Sequence, residues 1–276
     1  MSKVLSIEYL IKPEQGLWYP SGLCFNKKRS KLYICDMGNG RILSYHLQVK
    51  KVMEIVSLDR EGMIPKKPLA ITSNDKNDLF ITDAICNCLF RYTNNRWEKL
   101  SQPDTISYDL PGSVACDDNG SVYFTDFLHN RICFLETASD KVSVIETIDC
   151  VKPYGISINN NILYITDTAR GRIQWYNIQT REQGILLEGS FAPIAITADM
   201  DEDIYFSESK KLYLYHKNTK QVETIIDSDI WRSKLNKKLY HLGAMAVLSE
   251  GQIVCTDTVK NSIFIINIQK SPRNKM

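Results

Sequence analysis

No apolar run in this sequence approaches the roughly 20 residues that a membrane-spanning helix needs. Charge of one sign is also missing: 34 basic residues stand against 32 acidic ones, leaving a net charge of +2. Bulk electrostatics therefore give no argument for a nucleic-acid or membrane partner. Histidine is scarce, with His46, His129, His216 and His241 only, and no two of them are spaced like zinc ligands. Residues Met1 to Lys12 do not resemble an export signal, because Ser6 and Glu8 interrupt the apolar residues. The expectation is a cytoplasmic protein whose eight cysteines remain free thiols in a reducing compartment.

What the chain has in abundance is repetition. An inner-strand marker recurs as Pro20-Ser-Gly22, Pro68-Leu-Ala70, Pro111-Gly-Ser113, Pro153-Tyr-Gly155, Pro193-Ile-Ala195 and His241-Leu-Gly243. About fifteen residues after each marker, an apolar strand ends in an acid: Asp36, Asp83, Asp126, Asp167, Glu208 and Asp257. The acid-to-acid steps of 47, 43, 41, 41 and 49 residues are too regular for coincidence. A third strand follows each acid, as in Arg41–His46 and Arg172–Tyr176, and then a more polar fourth, as in Lys51–Leu58, Lys141–Ile148 and Gln183–Glu188. Units of 40 to 45 residues with four short strands and Asn/Asp/Gly turns are propeller blades.

The fold class is therefore all-β: one six-bladed β-propeller domain over residues 1–276, with four-stranded antiparallel blades. The sixth unit lacks its fourth strand, and Lys3–Leu10 reads like the fourth strands of other units. The N-terminal strand is expected to complete the last blade and close the ring, which removes a sheet edge.

The pattern Pro-x-Gly-Ile/Val, Leu-Tyr-Ile-x-Asp, Asn/Gly-x-Arg-Ile resembles the NHL repeat over essentially the whole chain. It is clearest in units one, three and four, where Arg41, Arg131 and Arg172 hold the Arg-Ile step. The resemblance implies a shape shared with gluconolactonase-like hydrolases, strictosidine-synthase-like enzymes and the amidating lyase, and fold does not choose among them. The gluconolactonase-like enzymes carry a calcium-type site with a carboxylate just before the first inner strand. Here Trp18-Tyr19 stand there, so the resemblance implies no such site, and no metal or cofactor is expected.

Six equivalent acids cannot all be catalytic, so the departures from the repeat carry the information. Loops entering the inner strands surround the mouth of the central channel, where propellers place ligands. Trp18, Tyr19, Lys67, Lys152, Tyr154, Tyr240 and His241 are the aromatic and basic residues there. Two long insertions, 59–67 and 228–240, precede inner strands and are candidate lids. The second carries Trp231 and can form a short helix with Asp229 as cap. Candidate acid–base groups are His241, Tyr154, Tyr240 and Glu208. Cys150, just before the fourth inner strand, is the cysteine placed to act as a nucleophile, with His241 as its base.

Three functions fit. The first is a binding module that takes a small, partly aromatic or anionic ligand, or a protein partner, at the channel mouth. The second is a metal-independent cyclase, lyase or hydrolase using acid–base chemistry in that pocket. RNA binding, known for some NHL domains, ranks below both because the charge is near neutral and the lysines are scattered.

Overall fold

A computed structural model describes residues 2–55, 64–100 and 106–270. Six four-stranded antiparallel sheets are arranged as the blades of a propeller, each running from an inner strand at the channel to an outer strand at the rim. Blade one comprises Pro20–Asn26, Lys31–Asp36, Arg41–His46 and Lys51–Glu54. The sixth blade pairs Leu242–Ser249, Gln252–Asp257 and Ser262–Gln269 with the N-terminal strand Lys3–Ile11, in the order expected for ring closure. Lys141–Val144 is shorter than the strand read from the sequence, and residues 56–58 of the first outer strand lie outside the described residues.

The core sits between blades. Second strands are largely buried and are apolar between their polar ends, as in Leu32-Tyr-Ile-Cys35 and Leu163-Tyr-Ile165, because both faces of each blade pack against a neighbour. Leu23, Leu32 and Ile34 of blade one pack with Ala246, Leu248 and Val254 of blade six, so the closing contact is as apolar as the others. All eight cysteines are free. No helix among the described residues is long and apolar enough to cross a membrane.

The insertion before the sixth inner strand is helical, as expected, but it is not a lid. Helix α1 spans Ser228–Leu235, and its cap is Asp227, not Asp229. The Asp227 carboxylate accepts from the N–H groups of Asp229 and Ile230, at 3.0 and 2.8 Å. The helix packs on the N-terminal strand at the rim. Trp231, 1% exposed, meets Phe264 edge-on at 4.7 Å. A large apolar side chain placed over the seam between blades five and six gains more from burial than from facing the channel. Residues 59–63 of the other insertion lie outside the described residues.

Candidate functional site

The channel mouth is built by the repeated acids. Each lies fully or almost fully buried at the end of its second strand, except Glu208, which is partly exposed. Each accepts an N–H from the loop that enters the inner strand of its own blade. Asp36 takes Trp18 N–H at 2.7 Å, Asp83 takes those of Lys66 and Lys67 at 2.6 and 2.7 Å, and Asp167 takes Val151 N–H at 2.8 Å. The arginine at the start of the third strand completes the site, with Nε of Arg41, Arg131 and Arg172 at 2.7, 2.9 and 2.7 Å from its acid. These carboxylates shape the loops and do not face the channel.

A second device joins neighbouring blades. The turn between second and third strands ends in a left-handed residue, and in three blades this is an asparagine: Asn87, Asn130 and Asn261. Their side-chain oxygens accept N–H groups from the next blade, those of Leu110, Lys152 and Tyr19, at 2.8 to 3.0 Å. The three recipients are themselves left-handed, with φ of 51 to 54°. Such a backbone costs on the order of 1 kcal/mol or more in a residue with a Cβ, and the hydrogen bond offsets it. This turn aims Tyr19 and Leu110 at the channel.

Hydroxyls form a third, inner belt. Thr82, Thr125, Thr166, Ser207 and Thr256, each just before its acid, accept an N–H from their own inner strand, as Thr166 does from Gly155 at 2.7 Å. Four of them also reach an inner-strand carbonyl of the next blade, as Thr82 does to Gly112 at 2.7 Å. Blade one has Cys35 at this position, and Ser21 Oγ supplies the link to Pro68 O at 3.0 Å instead. The sequence carries this signal openly as Thr-Asp or Ser-Glu in five units, yet attention to the acids passes over it.

Within this frame lies a cup of about 220 Å³. Its floor is six apolar side chains, one per blade: Leu23, Ile71, Val114, Ile156, Ile196 and Met245. The same six close the cup from a second, more polar chamber at the opposite end of the channel, where Cys24, Ser73, Cys116, Ser157 and Thr197 stand. The cup's wall includes Tyr19, Tyr154, Phe127, His241 and Thr258. Phe127 meets Tyr154 edge-on at 6.0 Å. Phe127 and Thr258 immediately follow the acids of blades three and six, and sequence reading did not single them out.

Of the residues singled out there, Tyr19, Tyr154 and His241 line the cup. Trp18 stays on the rim, its ring held against Gly38 so closely that a Cβ on Gly38 would lie 2.6 Å from it. Lys67 extends over Trp18, 5.7 Å from the ring. Lys152 is exposed on the rim. Tyr240 donates its N–H to Asp257 and lies under the ammonium groups of Lys260 and Lys238, at 4.3 and 5.3 Å. Glu208 accepts from Ala192 N–H and Tyr213 Oη, at 3.0 and 3.1 Å, outside the cup. Trp231 is in the core, as described, so it does not line the channel. Cys150 is buried and donates to Asn130 O at 3.4 Å; burial, with Asp167 nearby, pushes its thiol up to about 12. A thiol so hard to ionise is a poor nucleophile.

No lysine or carboxylate is among the described residues lining the cup. Desolvation lowers the pKa of His241 below the ordinary 6.5, and Asp257 behind it opposes that shift only in part. The imidazole is thus neutral at physiological pH and can accept or donate one hydrogen bond. Partial burial, and then Tyr19, raise the Tyr154 phenol. Among the described residues no group of three His, Cys, Asp or Glu side chains is placed to hold a metal ion. The strand-end acids are already committed to amides and arginines. These residues do not fit a calcium-type site at the mouth.

No family model and no curated protein matches the sequence. Solved structures do match its fold. A gluconolactonase from Xanthomonas campestris superposes with a TM-score of 0.75 at 10% identity, covering 95% of this chain and 89% of its own. A streptogramin B lyase gives 0.68 at 16% identity, covering 95% and 97%. A catalytically inactive His-to-Ala virginiamycin B lyase from Staphylococcus aureus, with quinupristin, gives 0.66 at 16% identity, covering 97% and 99%. At these identities the likeness concerns the six-bladed fold. The NHL resemblance has no family match behind it.

Proposed function

We propose that this propeller binds a small, uncharged, largely aromatic or apolar molecule carrying one or two hydrogen-bonding groups, seated in the cup at the channel mouth. The observation that carries this reading is the lining: an apolar floor, three aromatic rings on the wall and a neutral imidazole, with no charged side chain among the described lining residues. Apolar walls with few, placed polar groups are the usual make-up of small-molecule sites. Lys67 and Lys152 lie at the rim and not in the wall, so an anionic group on the ligand would remain outside the cup.

The test uses 2-naphthol, an aromatic with one hydroxyl for His241. Calorimetric titration should show one site with a Kd on the order of 100 µM, from roughly 0.5 kcal/mol for each non-hydrogen atom. Met245→Trp, which raises the floor of the cup, should abolish the heat while its thermal melt stays close to wild type. Binding unchanged in that variant refutes the reading.

His241 favours a second reading, in which the same cup performs acid–base chemistry. It is the titratable base on the wall, it is held neutral, and Tyr154 is a second proton carrier on that wall. The similarity in fold to a gluconolactonase and to streptogramin B lyases supports an enzyme without choosing its reaction. With 4-nitrophenyl acetate as probe, wild type should exceed His241→Gln by at least about 100-fold. Equal rates would leave binding alone.

A further inference from the structure

Among the described residues thirteen large hydrophobic side chains are exposed, and they are not spread evenly. Trp18, Tyr19, Ile85, Leu128, Tyr154 and Val259, each 45 to 63% exposed, all stand around the mouth of the cup. Ile64 joins them where the chain enters blade two. The opposite face has only Val49 and Met200 among the described residues.

Charge is segregated in the same direction. The six turns between second and third strands, on the cup face, carry Arg170, Lys210 and Lys260 and no carboxylate, although the loops entering the inner strands on that face do carry acids, among them the exposed Asp149, which pairs with Arg170 at 2.8 Å. The six turns between first and second strands, on the opposite face, carry nine carboxylates and four bases. The lysines are also used differently. Lys28, Lys217 and Lys270 on the opposite face are in ion pairs. Among the described residues no carboxylate pairs with Lys67, Lys152, Lys210 or Lys260.

We propose that the cup face docks on an anionic lipid surface, with the apolar loop tips inserted among the headgroups and the unpaired lysines against the phosphates. Apolar side chains at the tips of loops from four blades, with Lys67, Lys152, Lys210 and Lys260 among them, match a broad planar partner. The near-zero net charge hides this segregation. The expectation of no membrane partner rests on that total and on the lack of an apolar run long enough to span, and surface docking needs no span. In this position the cup opens toward the acyl chains, a source of apolar ligands, but docking stands or falls independently of what the cup binds.

The experiment is flotation of the full chain with phosphatidylcholine vesicles, with and without 30 mol% phosphatidylglycerol. Binding should require the anionic lipid and weaken in high salt. Lys67→Gln/Lys152→Gln/Lys260→Gln should lower partitioning roughly a hundredfold, at about fivefold for each lysine. Ile85→Ser/Leu128→Ser should lower it at least about tenfold, while Val49→Ser/Met200→Ser, on the other face, should leave it unchanged. Thermal melts of each variant matching wild type separate docking from folding. Failure to float with anionic vesicles, or equal loss in the opposite-face variant, overturns the proposal. So does concentration-dependent dimerisation that the cup-face substitutions abolish, which would assign the face to a second copy of the chain.

Discussion

The two faces of the propeller are built from the same strands and the same kinds of turn, yet they solve opposite problems. On the cup face the strand-end acids are drawn into the blades, bonded to loop amides and arginines, and the turns that follow them are aromatic, aliphatic and basic. On the opposite face the acids stay in the turns, and several of them pair with lysines. The contrast is sharpest at blade five. There Asp199, Asp201 and Asp203 gather around the ammonium of Lys270, which is 9% exposed and lies 2.7 Å from Asp203. One face pairs lysines with carboxylates; on the other, among the described residues, Lys67, Lys152, Lys210 and Lys260 have no carboxylate partner. A repeat fold fixes where turns lie, and the residues within each turn decide what a face can meet.

The strongest way to break this contrast is to remove its best-satisfied cluster. Lys270→Met leaves Asp199 and Asp203 buried against each other, and should cost about 3–5 kcal/mol. By thermal denaturation that is a fall in Tm of roughly 10 °C for a chain of this size, with 2-naphthol binding unchanged at 25 °C. Adding Asp199→Asn should restore part of the loss. A change in the cup with no loss of stability would mean the faces are not independent.

The matching substitution on the cup face is Asp167→Ala, which strips partners from Val151 N–H, Arg172 and Gln174. It should cost about 3 kcal/mol in urea unfolding. It should also weaken ligand binding, because the Val151 loop carries Lys152 and Tyr154. The hydroxyl belt comes next: Thr166→Val orphans Gly155 N–H and the Ile194 carbonyl, at about 2 kcal/mol.

The smallest effect concerns His241. Its pKa is depressed in the folded state, so the unfolded chain binds the proton more readily. Stability is therefore lost as pH falls from the ordinary 6.5 toward the folded pKa, and no further below it. His241→Gln should flatten the stability profile in that window. Ligand affinity should hold through pH 6.5 and fall only as the pH approaches the lower pKa of the folded ring, if the neutral ring accepts the ligand's hydroxyl.

The propeller was legible because its signal is written six times, and period, strand type and ring closure all follow from that spacing. Tyr19, Tyr154 and His241 were legible as departures from the repeat at positions that must line the mouth. Three other expectations misplaced a side chain for physical reasons. Trp231 was assigned to the ligand by its proximity to an inner strand, but α1 turns it toward the seam at Phe264. Tyr240 sits beside His241 in sequence, yet alternation along the chain and two lysine ammoniums hold it on the rim. Glu208 departs from the aspartate pattern and keeps the same amide-binding duty. Phe127 and Thr258 became visible only once the turns after the acids were placed over the channel.

The central claim, a ligand seat in the cup, is tested most directly by crystals soaked with 6-bromo-2-naphthol and measured at the bromine absorption edge. The account predicts one anomalous peak above the ring of Leu23, Ile71, Val114, Ile156, Ile196 and Met245, with the ring system between Phe127, Tyr154 and His241. A peak in the polar chamber below that ring, or none in the channel, would contradict it.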